Sequence, residues 1–305
     1  MAEAPLIVFC GAATVDMIFA VDTLPQGPGK VLPKAFVQAA HGMATSAAVA
    51  AARLGGRACL IARIGNDMMG EQFLAEIEAE GVDCRYVRRV RGAPTPISAV
   101  IVDDAGERLI LPYYDRNLGD DPTWIPEVFV QAADAVQVDV RWPEGAARVL
   151  SIARKAGKFA VLDADIGPPD VIRALAGSAS HTVFSAPAAY LVSGAANAGD
   201  AARELSRLFD GFVAVTDGPE GCFWVEEGQL MHLRPPEVRA VDTLAAGDVF
   251  HGAFTLAIAQ GCRVADAVAF ANAAAAVKCT VFGGRLGSPS REQVMRLLAA
   301  GPGAA

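Results

Sequence analysis

The sequence predicts an α/β fold: a doubly wound, mainly parallel sheet flanked by helices, with a small second sheet. Short apolar runs alternate with helical segments from residue 135 onward, as in parallel strands joined by crossover helices. An apolar run at residues 6–10 ends at Gly11 and predicts a buried first strand. Two alternating runs flank the turn-forming residues 103–106 and indicate a hairpin outside that alternation.

The same patterns assign the elements in order within a single domain over residues 1–305. The hairpin and two earlier extended runs form the small sheet, drawn from about residues 12–40 and 94–115, and residues 301–305 are expected to fray. The strands of the main sheet are predicted at residues 6–10, 58–64, 135–140, 159–162, 182–184 and 212–216, and those of the small sheet at 15–21, 31–37, 97–102 and 108–113. The helices are predicted at residues 41–56, 68–80, 144–156, 169–176, 188–193, 200–209, 246–260, 263–279 and 290–300.

Composition excludes several classes of protein. The net charge of −8 argues against nucleic acid as a partner, because such proteins need a basic face. The six cysteines are scattered without a Cys-x-x-Cys pair, which predicts buried thiols, no zinc site and a reducing, cytoplasmic compartment. Asp16 interrupts the apolar N-terminal run, so we expect neither a signal peptide nor a membrane partner.

Residues 241–252 carry the main functional signal. After Leu244 the side chains of Ala245, Ala246 and Gly247 are small, so their backbone amides can approach a ligand closely. A helix opens there, and its first amides lack intrahelical partners, which predicts a phosphate site. Asp248 in the first turn is either an acidic residue that complements the helix dipole or a general base, and the spacing leaves both open.

Residues 242–248, Asp-Thr-Leu-Ala-Ala-Gly-Asp, resemble the C-terminal signature of the ribokinase (PfkB-type) sugar kinases. Matching segments at residues 216–221, 272–284, 52–56 and 63–70 extend the resemblance over nearly the whole chain. It implies a kinase that transfers the γ-phosphoryl group of ATP, with Mg²⁺, to a sugar hydroxyl. Asp248 would be the base, and the amides of Ala245, Ala246 and Gly247 would form the anion hole.

The resemblance also implies binding residues for both substrates. Asp16 matches the carboxylate that grips the sugar hydroxyls, and Gly42 and Ser46 lie in a segment that in the family has paired glycines and an asparagine. Here His41 replaces one glycine and Ser46 replaces the asparagine. The small sheet would be a lid over the sugar and the surface of a homodimer. The residues implied at the ATP site are Thr216, Gly218, Gly221 and Asn272.

Two cation sites follow from the same resemblance. A monovalent cation such as K⁺ would be held by Asp242, Leu244, Cys279, Gly284 and Ser288. For Mg²⁺, the family's Asn-x-x-Glu would fall at residues 185–188, where both polar residues are missing. Asp163 and Asp165 are the candidate replacements, although two acids before a Gly-Pro-Pro sequence are also typical turn formers.

Lys30 and Arg141 direct the substrate prediction. Both match residues that hold the sulfonate in the sulfofructose kinase branch, and an arginine fork suits an anionic group. An asparagine expected in that pocket falls at Pro112. The sequence therefore predicts an anionic ketose such as sulfofructose, or a sugar acid. One alternative is a kinase for a neutral sugar or a nucleoside, and another is a non-catalytic sugar sensor. A nicotinamide-dependent dehydrogenase is disfavoured because no Gly-x-Gly-x-x-Gly follows the first strand.

Overall fold

A computed structural model describes residues 3–300, and it contains two sheets. The main sheet has nine strands in the order β13-β12-β11-β10-β9-β8-β1-β4-β5; neighbouring strands are parallel except for the antiparallel pairs β11–β12 and β12–β13 at one edge. The small sheet has four strands in the order β3-β2-β6-β7. The predicted fold class is confirmed. The strands are β1 Leu6–Gly11, β2 Thr14–Ala20, β3 Ala35–His41, β4 Arg57–Gly65, β5 Asp83–Val90, β6 Ile97–Val102, β7 Arg108–Tyr113, β8 Ala135–Asp139, β9 Phe159–Ala164, β10 His181–Ser185, β11 Phe212–Thr216, β12 Cys222–Glu226 and β13 Gln229–Leu233.

Helices cover both faces of the main sheet, and each face has its own apolar core. Alternate residues of β1 divide between the cores: Ile7 and Phe9 pack on one side, Val8 and Cys10 on the other. Helices α1, α2, α8 and α9 belong to the first core and α3 to α7 to the second. The helices are α1 Met43–Arg53, α2 Met68–Ala79, α3 Glu127–Ala132, α4 Pro143–Lys155, α5 Pro169–Ala176, α6 Ala186–Ser193, α7 Ala198–Leu208, α8 Ala246–Ala259, α9 Val264–Cys279 and α10 Arg291–Ala300.

The close packing of α1 on α8 explains the small residues in both helices. Gly252 lies against α1, where a Cβ atom would come within 2.2 Å of the Ala47 carbonyl oxygen. Only glycine permits this approach of the two backbones. The start of α8, which carries the predicted phosphate site, is therefore fixed relative to the main sheet.

Four elements, β5, β12, β13 and α3, are absent from the sequence prediction, and the bounds of β3 differ from it. Strand β5 is absent from the predicted strands because only one of its faces is covered and charged residues occupy much of the other. Strand β3 runs over Ala35–His41 rather than residues 31–37, so His41 ends a strand and the helix begins after it. Gly42 makes this junction with a φ of 116°, and a Cβ there would lie 2.4 Å from the Ala12 carbonyl oxygen. Residues 301–305, predicted to fray, lie outside the described residues.

The described chain also bears on membrane and redox expectations. Across residues 3–300, no helix combines the length and apolar character needed to span a bilayer. All six cysteines are free, and Cys10, Cys59, Cys84 and Cys222 among them are buried.

Asp139, at the end of β8, joins three backbone segments beneath the crevice of the sheet. Its carboxylate accepts hydrogen bonds from Ala12 N at 2.8 Å, Ala44 N at 3.0 Å and Arg141 N at 2.8 Å. These amides belong to the β1–β2 connection, the first turn of α1 and the segment after β8. Burial raises the pKa of Asp139, and the three amides oppose that rise.

We expect Asp139→Asn to lower the free energy of unfolding by about 1–3 kcal/mol, since an amide NH₂ would face at least one of these N–H donors. Urea denaturation measures the change. The exposed Asp210→Asn is the control, expected within about 0.5 kcal/mol of the parent. Equal stability of Asp139→Asn and the parent would show that this junction does not depend on the carboxylate.

Candidate active site

Two cavities meet at the start of α8. One, of about 570 Å³, lies between the small sheet and the carboxyl ends of the main strands. The other, of about 540 Å³, lies between α8, α9 and the segment after β13. Thr216, Thr243 and Gly247 line both cavities. A molecule in either cavity would therefore reach the other at the first turn of α8.

The backbone before α8 turns sharply at Ala245, which adopts a left-handed conformation with φ 65°. Asp242 supports the turn by accepting a hydrogen bond from Leu244 N at 2.8 Å. Within residues 3–300, the amides of Ala245 and Gly247 have no protein acceptor, whereas Ala246 N donates to Thr243 O at 3.2 Å. The predicted anion hole thus has two amides free for a ligand, and that of Ala246 is already engaged.

Asp248 is half-buried and lines the first cavity beside Gly247. Burial raises its pKa well above the usual carboxyl range, and the nearby Asp163 and Asp165 raise it further. A carboxylate in such an environment is a better proton acceptor than one in water. Asp248 therefore has the position and the direction of pKa change that a general base would need.

Asp163 and Asp165 both line this cavity, at the end of β9 and just beyond it. Asp165 accepts a hydrogen bond from Ser185 Oγ at 2.9 Å. Asp163 is buried, and its Oδ2 has no hydrogen-bond partner among residues 3–300. His251, one turn after Asp248, approaches this oxygen to 3.4 Å but points its Nδ1 at Gly247 O, 2.7 Å away.

Asp16 on β2 contributes a carboxylate from the small sheet. It accepts from Thr14 Oγ1 at 2.8 Å and lies 3.2 Å from His41 Nδ1. His41 Nε2 accepts from Arg285 N, so the proton of the neutral ring lies on Nδ1 and points at Asp16. Burial lowers the pKa of His41, which favours this neutral form. The ring that replaces a family glycine thus orients the predicted sugar-binding carboxylate.

The remaining predicted sugar contacts divide. Gly42 and Arg141 line the cavity. Ser46 is fully buried behind it, 3.4 Å from His41 Nδ1, because a serine is too short to reach the cavity from α1. Lys30 is exposed in the connection between β2 and β3 and does not line the cavity.

Arg141 is already engaged by the protein. Its guanidinium donates to Ile166 O at 2.8 Å and to Asp165 Oδ2 at 3.2 Å. Arg108 on β7 also lines the cavity and donates to Thr243 Oγ1 at 2.8 Å. Sequence reasoning missed Arg108 and His251 as cavity residues; the position of His251 one helical spacing from Asp248 was the available signal, and nothing local marked Arg108.

The second cavity has a mainly apolar wall. All four predicted ATP-site residues line it. Asn272 is buried on α9 and donates from Nδ2 to Leu233 O at 2.9 Å, so its side-chain oxygen stays available. The mainly apolar residues that line the rest of this cavity suit a flat aromatic ring. They include Pro235, Pro236, Val238, Phe250, Ala275, Ala276 and Cys279.

Four of the residues predicted to hold a monovalent cation, Asp242, Leu244, Cys279 and Gly284, lie together, but the carboxylate and the Cys279 carbonyl among them are already engaged by the protein. The Asp242 carboxylate accepts from Gly283 N at 2.9 Å and Gly284 N at 2.8 Å as well as from Leu244 N. The Cys279 carbonyl accepts from Val241 N and Asp242 N. The ammonium of Lys278, a residue absent from the predicted site, lies against Asp242.

Known proteins resemble this chain over nearly its whole length. The family model described as pfkB family carbohydrate kinase matches residues 4–291. An ATP-dependent ribose-1-phosphate kinase of Halopiger xanaduensis is 30% identical, with 96% of this chain and 97% of the relative covered. The ribokinase of Mus musculus is 24% identical, with 96% and 94% covered. A crystal structure of a candidate ribokinase from Agrobacterium tumefaciens has a TM-score of 0.94 and 43% identity, covering 97% of this chain and 98% of that one.

The matching family model and these relatives indicate a phosphotransferase whose acceptor is a sugar. The chain belongs to the pfkB family of carbohydrate kinases. The resemblance to the ribokinase type is confirmed, whereas the sulfofructose kinase branch is not supported by these relatives.

Proposed function

We propose that the protein transfers the γ-phosphoryl group of ATP to a hydroxyl of a neutral sugar or nucleoside. One observation carries the proposal: two cavities join at Gly247, where free amides lie beside the Asp248 carboxylate. The apolar cavity would hold the nucleotide, and the carboxylate-lined cavity the acceptor. ATP dependence is named for the Halopiger xanaduensis relative and is proposed here by that likeness.

The amides and the carboxylate have separate tasks in the transfer. Negative charge spreads over the equatorial oxygens of the γ-phosphoryl group in the transition state. The amides of Ala245 and Gly247 would stabilise that charge without reorganising, because the turn before α8 already fixes them. Asp248 would accept the proton of the attacking hydroxyl, while Asp16 would hold other hydroxyls of the acceptor.

Mg²⁺ would be held chiefly by the nucleotide phosphates. It supplies charge neutralisation and orientation of the β- and γ-phosphates. Within residues 3–300, no group of three His, Cys, Asp or Glu residues is placed to hold a metal ion. The orphaned oxygen of Asp163 and the partly exposed Asp165 fit acceptors for metal-bound water.

The charges on the acceptor cavity favour a neutral substrate. Four carboxylates line it, and of its two guanidinium groups that of Arg141 is paired with Asp165. An anionic substituent would therefore meet a surplus of negative charge. Of the two arginines in the lining, Arg108 is the one without an acidic partner among the described residues. Lys30, expected to assist, lies outside the cavity lining. The carboxylates are those of Asp16, Asp163, Asp165 and Asp248, and the guanidinium groups are those of Arg108 and Arg141.

We expect Asp248→Asn to fold normally and to lose at least about 10²-fold in kcat, since the amide cannot accept the proton. A coupled assay of ATP consumption measures kcat, and circular dichroism checks the fold. Turnover equal to that of the parent would refute the role of Asp248.

The raised pKa of Asp248 predicts the acid side of the pH profile. The base must be ionised, so kcat/KM falls as the pH drops through this pKa, at a pH above the usual carboxyl pKa of about 4. Asp165→Asn removes a neighbouring negative charge and should move the fall to lower pH, whereas Asp210→Asn should not. An unmoved profile in Asp165→Asn would contradict the proposed electrostatic coupling.

Matched sugar pairs test the charge of the substrate. We expect kcat/KM for the neutral member to exceed that for its anionic partner by at least about tenfold, in a panel of ribose with ribose 1-phosphate and fructose with sulfofructose. Nucleosides and keto-deoxy acids complete the panel. A preference for an anionic member that Arg141→Ala abolishes through KM would restore the anionic reading.

The small sheet is proposed to act as a lid subdomain and as the contact of a homodimer. Its cavity face supplies Asp16 and Arg108, so a lid formed by this sheet would contact the acceptor directly. Its opposite face leaves apolar side chains in water, and a second copy of the same face would cover them. The exposed residues on that side include Phe36, Leu109, Leu111 and Tyr113.

We expect Leu111→Lys to convert a dimer into a monomer of 31.6 kDa, because the charge would be buried at the contact. Light scattering after size-exclusion chromatography measures the mass. Leu208→Lys, on the exposed end of α7, is the control and should remain dimeric. A parent protein that is monomeric at all concentrations would exclude this contact.

We also propose a cytoplasmic location, supported by the six free cysteines.

A further inference from the structure

Lys278 places an ammonium group deep inside the protein, at the point where the sequence predicted a free monovalent cation. Its side chain, on the last turn of α9, is completely buried. Nζ donates to the Asp242 carbonyl oxygen at 2.6 Å and lies 3.3 Å from Asp242 Oδ2. A buried lysine needs such partners, since an unpaired ammonium in the interior is strongly unfavourable.

The acceptors of Lys278 belong to the segment that leads into the active site. Asp242 joins this segment to the loop after α9. Its carboxylate accepts hydrogen bonds from Leu244 N in the segment and from Gly283 N and Gly284 N in the loop. Three residues further along the chain, Ala245 makes the turn that exposes the amides of the anion hole. The positive charge of Lys278 therefore lies beside Asp242, the residue that supports the start of that turn.

We propose that Lys278 serves as a built-in monovalent cation, which positions the turn at Ala245–Gly247 and makes the kinase independent of K⁺. An ammonium group has the same charge as K⁺ and a similar size, and both bind carbonyl and carboxylate oxygens. Because it is tethered, the lysine ammonium does not depend on the concentration of a free ion. The catalytic part of this inference rests on the proposed function.

Lys278 acts through the loop and does not line either cavity, so it is a positioning residue. Its removal would leave the Asp242 carboxylate buried with three amide donors and no cation. In Lys278→Ala the deleted side chain would leave space for a free ion beside Asp242. In Lys278→Met an uncharged chain of nearly the same length would fill that space.

The two variants are measured in choline chloride, NaCl, KCl and NH₄Cl. We expect the parent to show equal activity in all four salts. Lys278→Ala should lose at least about tenfold in kcat/KM in choline chloride, because the acid is left without its cation, and should regain most of it in KCl or NH₄Cl. Lys278→Met should lose activity without this rescue. The control Lys155→Met, at the exposed end of α4, should behave as the parent.

Two measurements test the ion site without any turnover. KCl should raise the melting temperature of Lys278→Ala by at least about 2 °C over choline chloride and leave the parent unchanged. Crystals of Lys278→Ala soaked with Tl⁺, a K⁺ analogue, should give an anomalous peak at Asp242 that parent crystals lack. These readouts hold even if the sugar substrate or the catalytic role of Asp248 is misassigned.

Three results would overturn the inference. One is a parent enzyme that K⁺ activates several-fold over choline. Another is Lys278→Ala with parental activity in choline chloride. The third is Lys278→Ala that folds, is inactive and gains neither stability nor a Tl⁺ peak from monovalent cations.

Discussion

The crevice of this protein depends on one buried carboxylate. Asp139 accepts hydrogen bonds from amides of the β1–β2 connection, the start of α1 and the segment after β8. Three chain segments that diverge from the sheet are thereby held at fixed separations. Gly11 belongs to the same arrangement, since a Cβ there would come within 2.2 Å of Asp139 Oδ2. Asp139 therefore fixes the positions of the chain segments that continue beyond the ends of these strands.

Charge is distributed unevenly around this crevice. Carboxylates line the acceptor cavity. Burial raises the pKa of Asp248 there, and the neighbouring carboxylates raise it further. The buried cations lie behind the cavity: Lys278 against Asp242, and Arg285 against Glu76, Glu80 and Ala40 O. They hold loops, whereas the cavity itself keeps a surplus of negative charge. This division suits a site that binds a metal–nucleotide complex beside an uncharged polyol.

The small sheet is coupled to the rest of the site through His41. Its ring connects Asp16, which faces the cavity, to the backbone of Arg285 in the loop after α9. The same loop contacts Asp242 through Gly283 and Gly284. The Asp16 carboxylate and the turn before α8 thus share one supporting loop. The expectation of an anionic substrate neglected such internal pairing: Arg141 has the right chemistry for a sulfonate, but Asp165 and Ile166 O engage it.

The sequence by itself determined the fold class, the strand–helix alternation and the helix that starts at Ala246, because these depend on local periodicity and on residues adjacent in the chain. The family motif also singled out Asp16 and Asp248, which line one cavity, and the four residues predicted for ATP, which line the other. Only the tertiary structure decided that Ser46 is buried, that Lys30 lies outside the cavity and that Lys278 meets Asp242. Residues 242 and 278 are joined by packing of α9 against the loop before α8, and no local pattern encodes a contact between segments so far apart.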